Sequence, residues 1–345
     1  MRALSILLLS DGRPGHYHLA DGVAAAIGRR RPVEIVRLAV TRRRVVPGRV
    51  LGALVDRGAP ARLILRMGYG LDPGSLPKSA DLVLSAGGET LAANAAAARL
   101  LGARNIFCGT LRRMRPEAFS LIVSSYARHA SLPQHLVALK PNGIDPDGLG
   151  RRPAGLVPGK PPKVAGLLVG GDSGLLHYTD AEWNRLVAFV EASHREQGIR
   201  WVVSTSRRSP HAMGDAIQAL ALRPDGPIVE FIDFRLAGPS TLPRLFGAVD
   251  AVLCTEDSST MLSEAVCARL PVVGVAPKDH GFKEDEREYR AFMRDQGWCR
   301  FLSLDALDPA SFVSALGEVA PLKENHLDRL AQQLAERLPE LFHQA

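Results

Sequence analysis

The sequence has few cysteines and few aromatic residues. Four cysteines occur in 345 residues, and no two of them form a C-x-x-C pair. Cys108 and Cys254 lie in apolar, strand-like runs. We therefore expect reduced, mostly structural thiols in a cytoplasmic protein, and no cysteine-based metal or redox motif.

Long apolar runs are also lacking. No stretch approaches the roughly 20 apolar residues that a membrane-spanning helix needs. The short apolar run after Arg2 ends at Asp11 and lacks the length and the cleavage site of a signal peptide. We expect a cytoplasmic protein, soluble or peripheral on the inner face of the cytoplasmic membrane.

Acidic residues are scarce in one basic stretch of a chain whose net charge is +7. From Arg29 to Arg66 there are eleven arginines against Glu34 and Asp56. This excess suits a phosphorylated substrate or an anionic membrane surface, although a solvated arginine-rich face would look the same. Aromatic-rich strands typical of RNA-binding domains are missing, so no nucleic-acid partner is expected.

Short apolar runs alternate with helical stretches along both halves of the chain, which predicts parallel sheets covered on both faces. Five strands are predicted in the first half, at 3–9, 33–40, 81–86, 105–110 and 121–126. Five are predicted in the second half, at 163–171, 200–206, 227–234, 250–257 and 270–277. The predicted helices are 18–30, 61–70, 90–102, 179–198, 211–222, 241–249, 258–270 and the tail from residue 308.

A segment rich in proline and glycine separates the two halves and predicts a linker. We therefore expect two tandem doubly wound, Rossmann-like α/β domains, with ligands at the carboxyl ends of the strands in a cleft between them. The expected divisions are a first domain at 1–145, a linker at 146–163, a second domain at 164–320, and a C-terminal helix at 321–345 that packs back on the first domain.

Two loops of the first half carry candidate site residues. After the first strand, SDGRPGH holds Asp11 and His16, both plausible general bases, with Arg13 and Gly15 beside them. A capping turn with a surface histidine is the alternative. After the third strand, SAGGET holds three further candidates, Gly87, Gly88 and Glu89. Backbone amides there could hold a substrate oxygen or phosphate. A structural turn is the alternative.

Two loops of the second half favour phosphate. VGGDSG offers Gly171, Asp172 and Ser173, but its spacing is not the dinucleotide fingerprint and no acid ends the next strand, so a nicotinamide cofactor is not expected. STSRRSP offers Thr205 and the paired arginines Arg207 and Arg208, whose hydroxyl and guanidinium groups suit phosphate oxygens. A solvated basic turn is the alternative.

The richest loop is TEDSSTMLSEA, which joins a strand to a helix. The helix amides and hydroxyls there could bind phosphates, and an acid one turn further along could bind ribose hydroxyls. An isolated acid on the surface would be no evidence of a binding site, whereas an acid within an apolar helix favours one. The candidates are Glu256, Asp257, Ser258, Ser259, Thr260 and Glu264.

Together, SDGRPGH, SAGGET, GGDS and TEDSSTMLSEA resemble the mitochondrial-fission/ELM-type family, whose bacterial members are treated as GT-B glycosyltransferases. The resemblance covers nearly the whole chain. It implies that the second half binds a nucleotide-diphosphate sugar, with Ser258, Ser259 and Thr260 on the pyrophosphate and Glu264 on the ribose. It implies that Gly171, Asp172, Ser173 and Arg207 close around the phosphates.

For the first half the resemblance implies acceptor binding, with Asp11 as the base of an inverting transfer that needs no metal or other cofactor. The spacing of Glu256 and Glu264 resembles a motif of retaining enzymes, so the stereochemistry stays open. The acceptor could be lipid-linked or a cell-envelope glycan. A nucleotide-sugar epimerase or hydrolase, and a non-catalytic scaffold, are the alternatives. The nucleotide base, the sugar and the oligomeric state stay open.

Overall fold

The computed structural model describes residues 2–150, 159–238 and 241–342. The chain divides into two compact units, Met1–Gly143 with His326–Ala345, and Ile144–Asn325. Of the expected linker, residues 151–158 lie outside the described residues, as do 343–345 of the expected C-terminal helix. We call the two compact units unit 1 and unit 2.

Unit 1 is a parallel sheet of six strands in the order β2-β1-β3-β4-β5-β6. Its strands are β1 Leu4–Ser10, β2 Val33–Ala39, β3 Leu82–Ala86, β4 Arg104–Cys108, β5 Leu121–Ser124 and β6 His135–Val137. Its first four helices are α1 Pro14–Gly28, α2 Gly48–Asp56, α3 Ala61–Tyr69 and α4 Leu91–Leu101.

Both faces of this sheet are buried, because successive side chains of a strand point to opposite sides. In β1, Ile6 and Leu8 pack into the core on the α1 side, and Leu7 and Leu9 into the core under α2, α3 and α4. The near-continuous apolar run of β1 is therefore that of a central parallel strand.

Unit 2 is a second parallel sheet of six strands, in the order β10-β9-β7-β11-β12-β14. Its strands are β7 Val164–Leu168, β8 Leu175–Leu176, β9 Arg200–Ser204, β10 Ile228–Ile232, β11 Ala251–Thr255, β12 Val272–Ala276, β13 His280–Gly281 and β14 Cys299–Ser303. Its helices are α5 Asp180–Gln197, α6 His211–Ala221, α7 Phe234–Ala237, α8 Leu242–Ala248, α9 Ser259–Cys267, α10 Glu284–Asp295 and α11 Pro309–Gly317. Strands β8 and β13 form a small antiparallel pair.

The last helix, α12 (His326–Arg337), belongs to unit 1. Leu327, Leu330 and Leu334 are buried in the same core as α1 and the sheet. At the surface of this contact, Arg29 Nε lies 2.7 Å from Asp328 Oδ1. The core of unit 1 is therefore built from both ends of the chain.

Each sheet has a point where the strand order reverses, between β1 and β3 in unit 1 and between β7 and β11 in unit 2. Ligands of doubly wound folds bind outside the carboxyl ends of the strands at this point. The loops that meet there are 10–13 and 87–90 in unit 1, and 169–174 and 256–258 in unit 2. These are the loops that the sequence singled out.

The ten predicted strands and the doubly wound α/β class are confirmed, and so are four buried, free cysteines. The first helix was wrongly predicted to begin near His18; it begins at Pro14, whose fixed φ suits a first helical position. Seven elements were not predicted from the sequence: β6, β8, β13, β14, α2, α7 and α10. In the described residues, no helix is long and apolar enough to cross a membrane.

Candidate functional site

In unit 1, Asp11 and His16 form a pair at the end of β1. His16 Nδ1 lies 2.7 Å from Asp11 Oδ2, and the backbone amide of Arg13 donates to Asp11 Oδ1 at 3.2 Å. The Asp11 side chain is 4% exposed and that of His16 is 30% exposed. When Nδ1–H donates to the carboxylate, Nε2 is left as an acceptor on the more exposed partner.

The loop after β3 makes room for this histidine. Gly87 has φ +85°, and a Cβ there would overlap the His16 ring. At Gly88 a Cβ would meet the guanidinium of Arg112 at 2.5 Å. These two glycines, predicted as a phosphate loop, thus let His16 and Arg112 lie against the backbone. Gly15 is exposed in the first turn of α1, with open space at its Cβ position.

Glu89 is held by an arginine. Arg42 Nε donates to its carboxylate at 2.8 Å, and the Tyr69 hydroxyl donates to its backbone oxygen at 2.9 Å. Burial raises the pKa of Tyr69 to about 12, so its hydroxyl keeps the proton. Thr90 occupies the N-cap position of α4 but makes no side-chain cap. The Thr90 hydroxyl donates instead to the Ala86 oxygen at 3.1 Å.

In unit 2, two glycines after β7 bring three loops into contact. A Cβ on Gly170 would overlap the Asp257 carboxyl group, and one on Gly171 would overlap the backbone oxygen of Arg208. The amide of Gly170 donates to Thr255 Oγ1 at 2.8 Å. Ser209 Oγ donates to the Gly170 oxygen at 2.7 Å. The loop after β7 is thereby fastened to those after β9 and β11.

A cavity of about 380 Å³ opens at the amino end of α9. Ser258 is the N-cap, and its hydroxyl accepts from the Met261 amide at 3.3 Å. The first turn of a helix presents amides and a positive dipole end, which favour an anion. We call this cavity the α9 cavity, and its polar lining includes Ser173, Arg208, Asp257, Ser258, Ser259, Thr260, Lys283, Glu286 and Arg290.

Asp257 is buried at the back of the α9 cavity and forms an ion pair with Arg208. It also accepts from Thr255 Oγ1 at 2.6 Å. Burial raises the pKa of Asp257, while Thr255 and Arg208 act in the opposite direction. Arg208 is 37% exposed, so its guanidinium can bridge this acid and a ligand in the cavity.

Arg290 of α10 is a second, nearly buried cation. It lies 3.2 Å from Glu256 and 2.8 Å from Glu286, and it also donates to the Glu256 backbone oxygen. Its guanidinium carbon lies 3.8 Å from the centroid of the Phe282 ring, a cation–π contact. Burial raises the pKa of Glu256 to about 7, with Arg290 opposing the shift.

The predicted donor residues are only partly brought together. Within the described residues, the lining of the α9 cavity holds Ser173, Asp257, Ser258, Ser259 and Thr260. Six others are not part of this lining: Gly171, Asp172, Thr205, Arg207, Glu256 and Glu264.

These six have other surroundings. Asp172 accepts from the Tyr178 amide at 3.0 Å, and the Thr205 hydroxyl accepts from the Phe234 amide at 2.9 Å. Arg207 is exposed. Glu264 is buried in α9, and its contact with a ribose stays a prediction.

Arg208, one of the two paired arginines that the sequence suggested for phosphate, lines the cavity, whereas Arg207 does not. Three polar residues of the lining were missed: Lys283, Glu286 and Arg290. Lys283 and Arg290 lie at the start of α10 and within it, where no helix was predicted and no sequence signal placed them. In the described residues, no cluster of three His, Cys, Asp or Glu side chains could hold a metal ion.

The family model for mitochondrial fission ELM1 matches residues 14–338. The chain belongs to this family. No curated protein is significantly similar to it.

Among solved structures, this ELM1-family chain is similar to a protein named as a UDP-N-acetylglucosamine 2-epimerase from Listeria monocytogenes, with TM-score 0.56, 11% identity and coverage of 99% and 98% of the two chains. It is also similar to Acinetobacter baumannii MurG, with TM-score 0.50, 12% identity and coverage of 100% and 96%. A third is S. aureus MnaA bound to UDP, with TM-score 0.51, 9% identity and coverage of 99% and 98%. The fold is GT-B, as the sequence predicted.

Proposed function

We propose that the protein is a GT-B glycosyltransferase that moves a sugar from a nucleotide-diphosphate donor to an acceptor. The observation that carries the proposal is the α9 cavity, where a helix amino end, three consecutive hydroxyl residues and the side chains of Arg208 and Lys283 line one space. Solved proteins of the same fold include one bound to UDP. UDP-sugars are therefore the first donors to test.

In this proposal the departing diphosphate is stabilised by fixed charges. The amides of α9 and the hydroxyls of Ser258, Ser259 and Thr260 donate to its oxygens, and Arg208 and Lys283 supply positive charge. Donors that are already in place need no reorganisation when the negative charge develops. These groups supply that charge stabilisation from the chain itself.

The proton of the acceptor hydroxyl goes to the Asp11–His16 pair. The exposed fractions support His16 Nε2 as the proton acceptor, with Asp11 holding the ring and stabilising the imidazolium. Direct proton transfer to Asp11, the assignment that the sequence favoured, is the alternative. Its carboxylate oxygens accept from His16 and the Arg13 amide, which makes it the less accessible base.

His16→Ala and Asp11→Asn separate these roles. We expect His16→Ala to lower kcat by about 10²–10⁴-fold and Asp11→Asn to lower it less, because the amide still holds the ring but lacks the charge. Nucleotide affinity, measured by calorimetry, should not change in either variant. Full activity in both variants would return this loop to a structural turn, and full activity in Asp11→Asn alone would leave His16 as the base without help from Asp11.

The function itself is tested by thermal-shift screening of UDP-, GDP-, ADP- and CMP-sugars, followed by assays of nucleotide release with and without acceptor lipids. Stabilisation by one nucleotide series and acceptor-dependent release support a transferase. Turnover of donor alone identifies an epimerase or hydrolase instead. No stabilisation at millimolar donor overturns the proposal in favour of a scaffold.

Attachment to a membrane is part of the proposal. On α3, Arg62 and Arg66 are exposed beside Leu63 and Met67, each of which is 43% exposed. Basic and apolar residues together on one exposed helix surface suit the interface of an anionic bilayer. The chain should then bind vesicles that contain anionic lipid much more strongly than neutral vesicles. Equally weak binding to both would contradict the proposed attachment to a membrane.

A further inference from the structure

Unit 1 contains a second cavity, of about 490 Å³, which the proposed function has not used. It lies at α2, the start of α4 and the loop after β4. Its charged lining consists of four arginines, Arg42, Arg49, Arg112 and Arg113, with no acidic residue among the described lining residues. We call it the arginine cavity.

The four arginines differ in how they are engaged. Arg42 is paired with Glu89 and donates to the Val46 oxygen at 2.6 Å. Across the described part of the chain, Arg49, Arg112 and Arg113 form no ion pair. Three guanidinium groups facing one space without a counter-charge repel one another, and a bound anion would relieve that repulsion.

Arg112 has an unusual backbone conformation and lies close to the loop after β3. Its φ is +58°, in the left-handed region that an arginine rarely adopts. Its guanidinium lies over Gly88, where any side chain would displace it. Gly88 therefore leaves room for this guanidinium to lie against the loop after β3, at the wall of the cavity.

The remaining wall of the arginine cavity is apolar. Leu51, Leu91, Leu111 and Met114 line it, and each is at most 9% exposed. Gly52 lets Met114 approach, because a Cβ there would meet Met114 Cγ at 2.8 Å. A sugar phosphate would place hydroxyls against this wall, whereas a hydrocarbon chain would bury apolar surface on it.

Apolar side chains continue at the surface beside the arginines. Val50 follows Arg49 in α2 and is 43% exposed, and Val45 is 86% exposed. A chain too long for the cavity would find further apolar contacts there. The cationic groups and the apolar surface therefore match the two parts of an amphiphile.

We propose that the arginine cavity binds a phosphate or diphosphate group that carries a hydrocarbon chain. The phosphate oxygens accept from Arg49, Arg112 and Arg113, and the first carbons of the chain pack on the exposed parts of Leu91, Leu111 and Met114. Naming this ligand as the acceptor of glycosyl transfer rests on the proposed function, but the binding itself does not.

The test is calorimetric binding of two probes to the full chain, farnesyl diphosphate below its micellar concentration and inorganic pyrophosphate. We expect farnesyl diphosphate to bind at least about tenfold more tightly, because only it reaches the apolar wall. The double variant R112A/R113A should weaken its binding by at least about tenfold. The matched control, R30A/R57A, removes two exposed arginines of unit 1 outside the cavity and should bind as wild type.

Equal loss of affinity in both double variants, or no binding of farnesyl diphosphate at millimolar concentration, would overturn the proposal. If pyrophosphate bound as tightly as farnesyl diphosphate, the proposed hydrocarbon contact would be wrong, and the cavity would be a site for anions alone. Donor-induced thermal stabilisation of R112A/R113A is measured alongside. If no donor stabilises any variant while farnesyl diphosphate still depends on Arg112 and Arg113, the glycosyltransferase proposal fails and the amphiphile site stands.

Discussion

At the residue scale, neighbours in sequence have unlike roles. Arg207 is exposed, whereas the adjacent Arg208 pairs with the fully buried Asp257 carboxylate and lines the α9 cavity. The contrast arises because only Arg208 reaches Asp257. The Asp257 carboxylate occupies the space that Gly170 leaves by having no side chain. Arg208 therefore contributes both to the stability of the fold and to the positive charge of the α9 cavity.

Replacing each arginine by alanine tests this difference. We expect Arg208→Ala to lower the free energy of unfolding by about 2 kcal/mol, since Asp257 loses its charged partner, and to weaken nucleotide binding. Arg207→Ala, the matched control, should change stability by less than about 0.5 kcal/mol. Urea unfolding and calorimetry measure both effects, and equal effects of the two variants would contradict this assignment.

Glu256 makes stability depend on pH. Burial raises the pKa of Glu256 in the folded state to about 7, above the ordinary value of 4.5, so between those values the folded state binds the extra proton. The contribution of this group to the free energy of unfolding should therefore fall by about 3 kcal/mol as pH rises from 4.5 to 7.

Glu256→Gln mimics the protonated acid at every pH. Urea unfolding from pH 4.5 to 7.5 should show the variant gaining stability relative to the wild type as pH rises. A constant difference across that range would show that Glu256 has no raised pKa in the folded protein.

The sequence located the site loops but not the pairings within them. Asp11, His16 and Asp257 could be predicted because polar residues directly follow buried strands, and such strand ends meet at one sheet edge. The partner of Asp257 depends on how the loop after β9 folds over Gly170, which no local pattern encodes. The same is true of Arg290, whose partner Glu256 is 34 residues away.

At the element scale, α5 begins with a complete capping box. Thr179 Oγ1 accepts from the Glu182 amide at 3.3 Å, and Glu182 Oε2 accepts from the Thr179 amide at 2.8 Å. Glu182 also accepts from the Lys278 amide at 2.7 Å. The helix ends at Gln197, with Gly198 in the left-handed region at its C-cap.

Removing this cap should have a measurable cost. We expect Thr179→Ala to lower the free energy of unfolding by about 1 kcal/mol. Thr241→Ala is the control, because Thr241 is at the N-cap position of α8 but makes no side-chain cap bond. Chemical unfolding of both variants measures the difference, and equal values would argue against a stabilising cap.

Elements were predictable where their pattern was strong. Helix α10 was missed because nine of its twelve residues are not buried and its sequence is largely charged, with only Tyr289, Arg290 and Met293 facing the interior. Strand β6 has three residues, too few for a period to show. Both are ordered by packing on neighbouring elements and not by local sequence preference.

At the scale of the whole molecule, the two sheets have the two common doubly wound strand orders. The chain leaves unit 1 at Gly143 and returns to it at His326. Composition and alternation predicted two domains, and the closing of unit 1 by α12 follows from the apolar stripe Leu327, Leu330 and Leu334.

That closure predicts an effect on unit 1. Leu330 is 3% exposed, and we expect Leu330→Ala to lower the free energy of unfolding by about 2–5 kcal/mol. Hydrogen exchange should speed up in α1 and β1. Leu236→Ala, at a position that is 87% exposed, is the control and should leave exchange unchanged. Protection of α1 that survives Leu330→Ala would contradict the role of α12.

The position of α12 also affects the order of events during translation. The first 143 residues emerge from the ribosome long before residues 326–337 exist, so the apolar surface of α1 stays uncovered while all of unit 2 is made. The domain that is synthesised first is thus the last to be completed, and a nascent chain must be kept from aggregating during that interval.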